Sequence, residues 1–133
     1  MEVLIAPNSA ALLVFFSAVV QHLSTVISRG VGFVFTDRSV SLSAVGFSGR
    51  AKRTLQNNLE SAAMMVPLGL VVAILGGGTR IAITAAYIYV GTRIGFTLSY
   101  WFGISVARSV FWGVGMVTIA IVGISALGQF MAM

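Results

Sequence analysis

The residues able to do chemistry in this chain are few, and they fall into three groups. Arg53, Asn57 and Glu60 are spaced i, i+4 and i+7, so they share one face of any helix that carries them, with Gln56 adjoining it. Arg93 and Tyr100 are again seven apart, and Arg108 is followed directly by Ser109. One carboxylate thus stands against Arg53, Arg93 and Arg108, an excess of positive charge that suits an anionic ligand. The chain has no cysteine, which excludes a protein-borne thiol nucleophile, disulfides and thiolate metal sites; any sulfur chemistry must arrive with a substrate. His22 has no Asp, Glu or second His within a helical turn, so no metal site is expected and the residue reads as a polar packing group.

The elements that must position these groups follow from composition. Of 133 residues 58% are hydrophobic and 8% charged, and the mean hydropathy is +1.02; a soluble domain carries about 25% charged residues. The apolar residues come in runs that reach the roughly 20 residues needed to cross a bilayer. The chain therefore reads as all-α, an integral membrane four-helix bundle in a single transmembrane domain over 1–133. Helices are predicted over about 9–35, 50–75, 79–102 and 105–130, with a polar, Ser- and Gly-rich loop over 36–49 that holds Asp37 and Arg38. The first run is kept as a helix rather than a signal peptide, because Glu2 replaces the usual basic n-region and the apolar stretch outlasts a cleavage point. Gly76, Gly77 and Gly78 end the second helix, and Gly103 opens the turn into the fourth. On the third, Gly91, Gly95, Ser99 and Gly103 form a small-residue stripe that predicts close helix packing, within the bundle or between protomers.

A net charge of +5 raises nucleic acid as a partner, but the stacking aromatics and solvent-facing basic surface this needs are missing. The basic residues read instead as topology: Arg38, Arg50, Lys52 and Arg53 on one side against Arg80 on the other place the long loop in the cytoplasm and both termini outside. Glu60 then lies about 10 Å below the cytoplasmic surface on the second helix, and Arg93 about 10 Å below it on the third. Each charge at such depth costs on the order of 2.5–3.5 kcal/mol, so an ion pair between Glu60 and Arg93 is expected, with Arg108 joining from the fourth helix near Trp112.

The stretch Gly49-Arg50-Ala51-Lys52-Arg53-Thr54-Leu55-Gln56-Asn57-Asn58-Leu59-Glu60 resembles the R-A-x-R-x-x-x-N-x-x-E signature of the MAPEG family, the membrane-associated proteins of eicosanoid and glutathione metabolism. Gly91 to Tyr100 resembles the family's arginine and tyrosine seven apart, and Arg108-Ser109 its Arg-Ser at the start of the last helix. The match runs over about residues 45 to 128 and is that of a short bacterial-type member. It implies a homotrimer in the bacterial inner membrane, with sites between protomers near the cytoplasmic surface and glutathione as cosubstrate. Carried across, Arg53, Gln56, Asn57, Glu60, Arg93, Tyr100 and Arg108 would hold glutathione, with Arg108 and Ser109 nearest its thiol as the catalytic pair. The implied activity is that of a glutathione-dependent transferase or peroxidase acting on lipophilic electrophiles that arrive among the membrane lipids.

That chemistry agrees with the charges. Glutathione has two carboxylates and one ammonium group, so it needs more positive partners than negative ones, and Glu60 is the natural partner for the ammonium. Two other readings stay open. Gln56 stands where some members have a second arginine and Phe96 where some have a histidine, which suits a non-catalytic lipid-binding protein. A small multidrug transporter of the four-helix type is the third reading, although residues 9 to 35 contain no Asp or Glu to bind a cation.

Overall fold

The computed structural model describes residues 1–36 and 45–133. Asp37 and Arg38 of the predicted loop lie outside the described residues. A 3-10 turn over Glu2–Leu4 runs into α1 (Ile5–Arg29), then come a short α2 (Val31–Val34), α3 (Gly46–Ile74), α4 (Arg80–Phe102) and α5 (Ser105–Met131). Among the described residues the protein is all-helical, and α1, α3, α4 and α5 are the four helices long and apolar enough to cross a membrane. At 1.5 Å per residue even the 23-residue α4 spans about 35 Å, more than the roughly 30 Å hydrocarbon core.

Glycines set the breaks. Gly30, at φ 85°, separates α1 from α2, a conformation that a side chain would strain. Gly103, at φ 76°, caps α4 in the left-handed conformation while the Ile104 amide donates to the Ser99 carbonyl at 2.8 Å. The start of α4 is held by Thr79, whose hydroxyl accepts from the Ala82 amide at 3.2 Å.

The packing order follows from which helices meet. α1 lies mainly on α3 and α4 mainly on α5; α3 also touches α4 and α5, and α1 touches α4, while α1 and α5 stay apart on a diagonal. Small residues allow close approach in the shared core of Ala6, Ala10, Ala85, Ala86 and Ala126, filled out by Met65, Val72, Tyr89 and Val122. A Cβ built on Gly69 would come within 2.5 Å of Pro7 Cγ, so the start of α1 rests directly on the α3 backbone. The buried Tyr89 hydroxyl shares a 2.8 Å hydrogen bond with Ser61 Oγ, which satisfies two polar groups where water is excluded.

Outside this core the surface is apolar. Leu12, Phe15, Phe16, Val117, Ile124 and Leu127 are all exposed, more oily area than a water-soluble monomer presents. With four spans, this is an integral multi-pass membrane protein. Consecutive spans alternate in direction, so the N-terminal ends of α3 and α5 share one end of the bundle with the C-terminal ends of α1 and α4.

Candidate functional site

At that shared end, α3, α4 and α5 enclose a cleft of about 270 Å³ lined by Asn57, Phe96, Tyr100, Arg108, Ser109 and Trp112. Four of the sequence-predicted residues, Asn57, Tyr100, Arg108 and Ser109, are brought together here. Their positions follow from helix periodicity. Phe96 and Tyr100 are one turn apart on α4, and Arg108, Ser109 and Trp112 occupy the first two turns of α5.

The cleft has an aromatic wall stiffened by cations. The Arg93 guanidinium lies 4.4 Å from the Phe96 ring centroid, Phe96 meets Tyr100 edge to face at 5.4 Å, and the Arg108 guanidinium lies 4.9 Å from the Tyr100 centroid. The ring faces attract the cations and the edge-to-face pair matches ring quadrupoles, so Arg108 is oriented by an aromatic ring, and among the described residues no carboxylate pairs with it. Arg108 is half-buried. Ser109 Oγ donates to the Ser105 carbonyl at 3.1 Å, so in this arrangement its lone pairs face outward, and donating to a ligand requires rotation of the hydroxyl.

Arg53, Gln56 and Glu60 do not line the cleft. They sit exposed on α3 beside it, and Gln56 Nε2 donates to Glu60 Oε1 at 2.9 Å. Asn57 joins this face to the cleft, its Nδ2 donating to the Arg53 carbonyl at 2.9 Å.

Arg93 departs most from expectation. The expected Glu60 ion pair is replaced by hydrogen bonds from Arg93 Nη2 to Asn58 Oδ1 at 2.6 Å and to the Asn57 carbonyl at 3.1 Å. The reason is angular: Asn58 and Glu60 are two residues apart, roughly 200° around the helix, so an arginine that meets one cannot meet the other. Arg93 is 2% exposed and stands behind the aromatic wall. Asn58, which sequence reasoning passed over, is the hub: its Nδ2 also donates to Ser17 Oγ at 2.8 Å and Thr97 Oγ1 at 3.0 Å, tying α1, α3 and α4 together. One signal was available, since Thr97 follows Arg93 by one turn and shares its face.

His22 also differs from its reading as a packing residue. It is exposed on α1 beside Phe15, Val19 and Gln21. The face of α1 that packs carries Ala10, Ser17 and Ser24, and five residues past Ser17 the helix has turned about 140° away.

No curated protein and no solved structure matches the chain. The family model of the MAPEG family matches residues 4–128, nearly the whole sequence. An arginine-bearing cleft built from the last three of four membrane spans is thus found in a chain that belongs to the MAPEG family, membrane proteins of glutathione and eicosanoid metabolism.

Proposed function

We propose that the protein binds glutathione at this cleft and uses the thiolate against lipophilic electrophiles that reach it through the bilayer. The observation that carries the reading is Arg108, a half-buried cation stacked on Tyr100 in a cleft whose lining carries no acidic side chain among the described residues. A free cysteine thiol ionises near pH 8.5, and a neighbouring cation favours the thiolate. Arg108 also stands in the first turn of α5, where unpaired backbone amides add to the field that favours an anion. The thiol proton leaves to solvent. The sulfur lone pair then forms the new bond, to carbon with loss of a leaving group or to a peroxide oxygen with cleavage of the O–O bond.

At about 270 Å³ the cleft falls just under the roughly 300–1,000 Å³ of ligand pockets, too small for an extended tripeptide. The remainder of glutathione would follow the exposed α3 face, where Arg53 pairs with a carboxylate and Glu60 with the ammonium group. Arg93 supports the aromatic wall rather than touching the ligand. An exposed charged face on a membrane-spanning helix also favours a covering by a second copy, in keeping with a homotrimer, and the basic residues favour a cytoplasmic site in a bacterial inner membrane.

A second reading, binding of a lipid or fatty acid without chemistry, draws on the Ser109 hydroxyl being engaged by Ser105. Calorimetric titration of the purified protein with glutathione separates the two. Saturable binding at millimolar concentration or below, weakened about ten-fold or more in Arg108→Gln as expected for a charged hydrogen bond, supports the glutathione site. Absence of heat with the wild-type protein removes it.

A further inference from the structure

The opposite end of the bundle carries a second, separate feature. Between α4 and α5 lie two cavities of about 500 Å³ and 330 Å³ that share Ile81 and Ile121 and so form one groove. The larger reaches Thr79, Gln129 and Ala132 at the helix ends, and the smaller runs inward to Ile88 and Thr118 and includes Arg80. From Ala132 to Thr118 along α5 the groove is about 21 Å long, the depth of one leaflet with its headgroup region, half of a bilayer of roughly 40–45 Å. Its interior is isoleucine-rich with Thr84 and Thr118, and Thr79, Arg80, Ser125 and Gln129 gather near the mouth.

Two of those groups are open to an occupant. Arg80 is exposed and is the one lysine or arginine at this end among the described residues. Gln129 Oε1 is buried without a hydrogen-bond partner, a costly state for an acceptor away from water. Thr79 and Ser125, also lining the groove, satisfy one another at 3.2 Å. An occupant must therefore offer an anion to Arg80, a hydrogen-bond donor to Gln129 and a flexible apolar chain to the isoleucines.

We infer that this groove is a binding site for a phospholipid of the leaflet away from the arginine-rich cleft. The phosphate lies at Arg80, a headgroup hydroxyl or ammonium donates to Gln129, and one acyl chain fills the groove. The inference is independent of the glutathione reading. A phosphatidylglycerol fits all three demands, whereas a phosphatidylcholine of the same chains offers no headgroup donor and no net charge.

Native mass spectrometry of the detergent-purified protein, supplied with equal amounts of these two lipids, tests the assignment. The expected result is retention of phosphatidylglycerol about five-fold over phosphatidylcholine, the weight of one arginine facing an anionic headgroup, with that preference lost in Arg80→Gln and reduced in Gln129→Leu. Ile121→Trp, which fills the groove, is expected to reduce both adducts while circular dichroism stays helical. Equal retention of the two lipids by the wild-type protein overturns the proposal. So does an Arg80→Gln preference equal to wild type, or a groove covered by a second copy and free of lipid.

Discussion

Two arginines of the same span-rich chain sit in opposite surroundings. Arg93 is buried and gives hydrogen bonds to Asn58 Oδ1 and the Asn57 carbonyl, so its charge is spent inside the bundle. Arg108 rests on the face of Tyr100, and among the described residues no side chain hydrogen-bonds to it, which suits the ligand role proposed for it. Asn58→Leu should therefore destabilise the fold by about 3 kcal/mol, because it removes the side-chain acceptor of a buried guanidinium and orphans Ser17 and Thr97; thermal unfolding in detergent measures this. Arg108→Gln should destabilise far less, by about 0.5–1 kcal/mol, since the residue is half-buried and its contact with α4 is the stacking on Tyr100. The sequence made Asn57 and Tyr100 legible because each lies at a helical spacing from a charged residue, and Arg108 and Ser109 because they are adjacent at the start of the last span. It did not reveal Asn58 as Arg93's partner, because depth alone makes Glu60 an equal candidate and only the rotation of α3 distinguishes the two.

At the scale of elements, the small-residue stripe of α4 divides. A Cβ on Gly95 would meet the Phe111 ring at 2.7 Å, whereas one on Gly91 meets nothing within 4 Å. Gly95→Ala should cost about 1–3 kcal/mol by overpacking the α4–α5 contact, and the double variant with Phe111→Leu should recover part of it; chemical or thermal unfolding of the pair gives the comparison. Gly91→Ala should leave the fold of the chain intact. The four spans were legible from hydropathy, but their ends were less so. α1 starts at Ile5 rather than near residue 9, and α3 at Gly46 rather than near 50. The physical reason is that neither helix has a side-chain cap, α1 following Leu4 and α3 following Val45, so the usual Ser, Thr, Asp or Asn marker is missing. At α4, where Thr79 does cap the helix, sequence and structure begin together.

The whole molecule presents an apolar belt outside and one charged face on α3 formed by Arg53, Gln56 and Glu60. A charged face left to lipid is costly, so native mass spectrometry in mild detergent should give an assembly of three chains, and Glu60→Lys, which places like charges along α3, should shift it toward monomer. Asn57 connects this charged face to the cleft through the Arg53 carbonyl, so the proposed ligand, reaching from Arg108 to Glu60, would cross it. The central claim is that Arg108 holds a bound glutathione as its thiolate. The most direct test is the ultraviolet difference spectrum on adding glutathione to the purified protein at neutral pH, where free thiol is largely protonated because its pKa is near 8.5. A thiolate band that saturates with glutathione and vanishes in a folded Arg108→Gln variant is the predicted result; saturable glutathione binding with no thiolate band would contradict it.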